Sequence, residues 1–166
     1  MATTLIKFDN LRKVLEDLGK FLVEEYRDNL ILNNKNASDE LYNSVRYIID
    51  GKTKGRFEVN LELMDYWKYI ENGRKAGKMP PIKAIEKWIE VKPVLPRPMA
   101  NGKLPTTKQL AYLISRKIGL EGIKPQPLLQ QSVDNVMDVM MEYIEDAIAK
   151  DMQQALDGIY NEVGLV

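Results

Sequence analysis

Residues Tyr66 to Trp88 read YWKYIENGRKAGKMPPIKAIEKW and divide into three parts. An aromatic turn, Tyr66, Trp67, Tyr69 and Ile70, is predicted to be a short helix capped by Asp65, with Gly73 at the left-handed position that ends it. Arg74, Lys75, Gly77 and Lys78 make a basic loop. Pro80 and Pro81 then supply the fixed φ that suits a first helical turn, and Ile82, Ile85, Trp88 and Ile89 form the apolar face of a helix ending near Val91. The unit is a helix–loop–helix, and Trp88, lying on the apolar stripe, is expected in the core.

Upstream, VRYIID and GRFEVNLEL flank the turn sequence DGKTKG. Phe57, Val59, Leu61 and Leu63 alternate with Arg56, Glu58, Asn60 and Glu62, the period of a strand with one apolar face, so a hairpin is expected over about 45–64. Earlier still, Phe8, Leu11, Leu15, Leu18, Leu22 and Tyr26 recur at steps of three and four, with Val14 and Phe21 widening the stripe. That spacing predicts an amphipathic helix from about Phe8 to Leu32. NNKNAS breaks it, and Ser38 can cap a short turn from Asp39 to Asn43.

Downstream, residues 92–106 carry four prolines and an Asn-Gly pair and read as a long, partly stiff loop. Thr106 or Thr107 can cap a helix whose Leu110, Leu113, Ile114 and Ile118 face inward until Gly119 and Gly122 end it. The last element, 127–162, carries Leu129, Val133, Val136, Met140, Ile144, Ile148, Met152, Ala155 and Ile159 on one stripe. If continuous it spans roughly 50 Å at about 1.5 Å per residue. It should therefore break, near Gly158 or Lys150–Asp151, or project and dock on another subunit. The whole is an α+β single domain over 1–166: a small antiparallel sheet packed by the N-terminal helix, the helix–loop–helix and a long C-terminal helix.

Composition excludes much chemistry. The 166 residues contain neither Cys nor His, which removes disulfides, thiolate nucleophiles, His-based acid–base pairs and the zinc sites built from those ligands. Carboxylates at Asp134, Asp138, Glu142, Glu145 and Asp146 are the remaining metal candidates, but without a glycine-containing ligand loop they read as a solvated helix face. GRKAGK at 73–78 lacks the spacing of a phosphate-binding loop. No catalytic residue, metal or cofactor is expected, and the chain reads as not an enzyme. No apolar run is long enough to cross a membrane, and the start MATTLIKFDN lacks a secretory pattern, so a cytoplasmic product with no membrane partner is expected.

The zero net charge conceals a segregation. Residues 72–125 hold 12 Lys and Arg against 3 Asp and Glu, whereas residues 126–166 hold 1 against 8. The two segments can pair within a monomer or lie on solvated faces. They can also meet between subunits, the basic face of one copy against the acidic helix of the next. A third reading turns the basic loops toward DNA phosphates, and Arg74, Lys75, Lys78, Lys83, Lys87, Lys92, Arg97 and Lys103 near aromatic residues carry it.

Several short motifs, in order, resemble the tail-completion or head–tail connector family of tailed bacteriophages. They are Leu41 and Ser44 in LYNSV; Tyr66, Tyr69, Glu71 and Gly73; Lys78, Met79, Pro80, Pro81 and Ile82; and Ile114, Arg116, Lys117, Gly122, Lys124, Pro125, Pro127 and Leu128. Leu128 stands where the family often has Phe, and the terminal helix is longer than in many members. The resemblance implies a virion structural protein of the neck or tail, assembled in the bacterial cytoplasm and forming a homo-oligomeric ring around the DNA channel. Its partners would be copies of itself, other phage neck, portal or tail proteins, and packaged DNA through non-specific contact. Gly73, Gly122, Pro80, Pro81, Pro125, Pro127 and Trp88 would be structural, and Arg74, Lys75, Lys78, Arg97 and Lys103 would face a partner or DNA. The alternative is a free nucleic-acid-binding protein using the basic 73–108 region.

Overall fold

The computed structural model describes residues 6–35, 39–51, 56–92, 94–100 and 102–163. Ser38 as a cap, residues 52–55 of the hairpin turn, Pro93 and Asn101 lie outside the described residues. Among the described residues, six helices and two strands follow in the order α1 (Asp9–Leu32), α2 (Glu40–Ser44), β1 (Arg46–Asp50), β2 (Glu58–Glu62), α3 (Trp67–Glu71), α4 (Ile82–Val91), α5 (Thr107–Glu121) and α6 (Leu128–Val163). The fold is α+β and mostly helical. Its contacts gather in two compact units, one drawn from Met1–Asp28, Val45–Glu62 and Leu129–Val166, the other from Asn29–Ser44 and Leu63–Leu128.

The first unit is built on the α1 stripe. Leu11, Leu15, Leu18 and Leu22 are buried with Val136 and Met140 of α6, and Phe57, Val59, Leu61 and Ile49 pack against them. β1 and β2 pair antiparallel with Tyr47 opposite Leu61 and Ile49 opposite Val59, so these four side chains share one sheet face. The sheet approaches α1 closely at Gly19, where an added Cβ would stand 2.3 Å from the Tyr47 ring. Phe21, expected to widen the stripe, is instead exposed. It lies one residue off the leucine row, at an open surface it shares with Val139 of α6.

α6 is continuous over 36 residues, about 54 Å at about 1.5 Å per residue. Neither expected break occurs. At Gly158 the helix runs on, and at Asp151 a tertiary bond takes the place of a kink. The Asp151 carboxylate, 1% exposed, accepts from Leu11 N at 2.8 Å, Asn10 N at 3.0 Å and Asn10 Nδ2 at 2.7 Å. Two of the unpaired N–H groups that begin α1 are thus satisfied by a carboxylate 140 residues away, where the helix dipole favours negative charge. Beyond Asp151 the stripe is mostly exposed: Met152 and Ile159, expected on the buried face, are exposed together with Leu156 and Tyr160, and Ala155 is half-buried.

In the second unit α1 ends in two nested bonds, Lys35 N to Leu30 O at 2.8 Å and Asn34 N to Ile31 O at 2.9 Å, with Asn34 at φ 53°. This is a Schellman motif with Asn in the left-handed position. Thr106 rather than Thr107 caps α5, forming a capping box with Gln109. α5 runs through Gly119 to Glu121, because the residues it buries are the small ones, Ala111, Ser115 and Gly119. A Cβ at Gly119 would come within 2.7 Å of Met79 Cγ. Leu113, expected to face inward, is consequently exposed. α4 packs on α5 with Ile82, Ile85 and Ile89 half-buried, while Trp88 is 39% exposed at the edge of that face and is not core.

Asp65 does not cap α3. The N-cap is Tyr66, without a side-chain bond, and the Asp65 carboxylate instead meets Lys68 Nζ at 3.0 Å.

Candidate functional site

The two motif segments around Gly73 and Gly122 meet within the second unit. Arg74 N donates to Ile123 O at 2.9 Å and Ile123 N to Arg74 O at 2.7 Å, and Gly77 N donates to Gly119 O at 2.7 Å. Gly73 at φ 64° and Gly122 at φ 76° permit this clasp. Each lacks the Cβ that would stand 2.2 Å from a carbonyl oxygen of the opposing segment, Ile123 O for Gly73 and Arg74 O for Gly122. The Arg74 guanidinium turns back on its own loop, donating to Lys78 O at 2.6 Å. Lys75 and Lys78 extend outward from the clasp.

Beside the clasp lies an open apolar groove of about 360 Å³. Ile70 of α3, Ile85 of α4, Ile114 and Ile118 of α5, and Ile123 form its walls, with Tyr66, Tyr69 and Trp88 around them. Gln126 N donates to Ile70 O at 2.8 Å, which fixes Gln126 in the wall. Its Oε1 is buried and has no hydrogen-bond partner among the described residues. Such an acceptor costs about 1–3 kcal/mol until a donor reaches it.

Three ammonium groups, Lys35, Lys92 and Lys124, also line the groove. Lys92 Nζ donates to Asn34 O, and the Tyr66 hydroxyl donates to Lys35 O at 3.2 Å. The Schellman turn of α1 is therefore held to α4 and to the aromatic turn before α3. Burial raises the Tyr66 hydroxyl above its ordinary value, keeping it a donor. Burial, and then the neighbouring Lys92 cation, hold the Lys35 ammonium below its ordinary value. A carboxylate arriving there would offset both effects by its attraction for the ammonium.

Leu41 and Ser44 support the same unit. Leu41 is buried, and Ser44 Oγ donates to Leu41 O at 2.8 Å while accepting from Met64 N at 3.2 Å. Pro81 is the N-cap of α4. Tyr66, Tyr69 and Trp88 line the groove. Of the expected partner-facing cations, Lys75, Lys78, Arg97 and Lys103 are exposed and Arg74 is half-buried. None of the five lines the groove.

Sequence reasoning missed Lys35 and Gln126 as site residues. Lys35 sits in a polar break with no periodicity to mark it, and half-buried Gln126 is placed in the wall by a backbone bond to Ile70 that no local pattern announces. The carboxylates of α6 point elsewhere: Asp134 accepts from Gln130 at 2.8 Å and Asp146 pairs with Lys150 at 2.6 Å, on exposed surface. Among the described residues no three acidic side chains converge as metal ligands, and no helix is long and apolar enough to cross a membrane. No family model, curated protein or solved structure compared with the chain matches it.

Proposed function

We propose that the protein is a structural component of a tailed-phage virion, a ring-forming head–tail connector or tail-completion protein that joins the neck to the tail around the DNA channel. One observation carries this reading. The motif segments that resemble the connector family, Tyr66–Ile82 and Ile114–Leu128, come together through the Gly73 and Gly122 clasp. In this reading the residues of the resembling motifs build one support, and beside it lies an aromatic, lysine-bordered groove. Exposed aromatic and aliphatic surface of this kind suits protein contact. The exposed Lys75 and Lys78 of the clasp loop suit contact with a polyanion such as DNA in the channel.

Removal of the gene tests the proposal. Filled heads without attached tails are expected by electron microscopy, and normal infectious particles from the deletion would overturn it.

A further inference from the structure

Among the described residues, the groove and the end of α6 are both apolar and open, and they adjoin opposite charges. The groove has Ile70, Ile118 and Trp88 in its walls and Lys35, Lys92 and Lys124 along it. The last part of α6 shows Met152, Leu156, Ile159 and Tyr160, which are 52%, 48%, 45% and 52% exposed. These four lie at steps of four, three and one, so they form a single helix face. Asp157 and Glu162 flank that face, and residues 151–166 contain no Lys or Arg. An exposed acidic amphipathic helix end and an apolar groove bordered by lysines are the two halves of helix-in-groove recognition.

We propose that the end of α6 from one copy of this chain docks in the groove of the next. Leu156 and Ile159 fill the apolar volume between Ile70, Ile118 and Trp88. Asp157 and Glu162 meet the lysine border, and the Tyr160 hydroxyl is the donor that Gln126 Oε1 lacks. The contact joins different surfaces on the two partners, so it is heterologous and propagates from copy to copy until a ring closes. This inference rests on the ring proposed above and names the surfaces that would make it.

The test uses the full chain. Sedimentation velocity at rising protein concentration is expected to show oligomers. Leu156→Asp and Trp88→Asp should each weaken association about tenfold or more, with unchanged circular dichroism, since both side chains are exposed. Lys124→Glu should weaken it as well, and Lys124→Glu combined with Asp157→Lys should recover most of the loss. In an equal mixture of ¹⁴N and ¹⁵N chains, a zero-length carboxyl–amine cross-linker should join Lys35 or Lys124 of one isotope to Asp157 or Glu162 of the other.

Wild-type oligomers that survive both Asp variants unchanged would overturn this docking and leave the ring standing. Filaments of indefinite length, lost in the same variants, would leave the docking standing and overturn the ring. A chain that is monomeric at all concentrations, or cross-links confined to one isotope, would overturn the docking, and the gene-removal phenotype would then decide the virion role separately.

Discussion

Gly73 and Gly122 are each pressed against the other segment's backbone. Each combines a positive φ with a carbonyl oxygen 2.2 Å from where a Cβ would stand, so an alanine there meets both strain and collision. Gly122→Ala is expected to cost more than about 2 kcal/mol in denaturant unfolding. Gly158, inside α6 with nothing within 4 Å of its Cβ position, is the control. Gly158→Ala should stabilise by about 0.5–1 kcal/mol, because only the helix-propensity and chain-entropy terms remain. Both residues read as helix punctuation in the sequence, and only the identity of the neighbouring atoms separates them. Tyr66→Phe removes the hydroxyl bond to Lys35 O at 3.2 Å, and a loss of about 0.5–1.5 kcal/mol is expected in the same measurement.

Among the elements, α1 and α6 were the most legible, since long apolar periodicity is the strongest local signal. What periodicity does not carry is how far along a helix the packing extends. The α6 stripe continues past Asp151 in sequence, whereas burial stops there, and Asp151 itself, which reads as a break in the stripe, ties α6 to the start of α1. Burial pushes the Asp151 carboxyl up, but the N–H donors of Leu11 and Asn10 and the Asn10 amide outweigh burial and hold it below 3.8, its ordinary value. A folded-state value below the unfolded one means stabilisation that is complete above the unfolded value and lost as pH falls through the folded one. Thermal unfolding from pH 7 to pH 2 should therefore show a loss below about pH 4 that Asp151→Asn abolishes. At pH 7 the same substitution should cost about 1–3 kcal/mol, by weakening a buried charge-assisted cap.

For the whole molecule, the charge segregation was countable in the sequence, but its meaning depended on where the apolar surfaces lie. The basic stretch supplies about half of the groove lining, including Trp88, Lys92 and Lys124, and the acidic stretch ends in the exposed helix face of Met152, Leu156, Ile159 and Tyr160, so each charged region adjoins the apolar surface it would serve. If these surfaces build a ring, the chain should be present in purified particles at a fixed copy number equal to the ring's rotational symmetry, as read by quantitative mass spectrometry against the capsid protein. A copy number that varies between preparations would count against a ring component. Raising salt from 0.1 M to 1 M should also weaken association of the isolated chain, because the lysine–carboxylate pairs lie at exposed edges where ions screen them.

The amino-acid sequence determined the helices, the hairpin and the helix–loop–helix, because periodicity, capping residues and glycine or proline placement are local properties that each segment carries by itself. Tertiary structure alone decided that Gly73 and Gly122 oppose one another, that Trp88 and Leu113 face outward, that Gln126 keeps a buried acceptor and that Asp151 caps α1. Each of these depends on atoms brought together from distant parts of the chain, and a linear pattern holds no record of which surfaces meet.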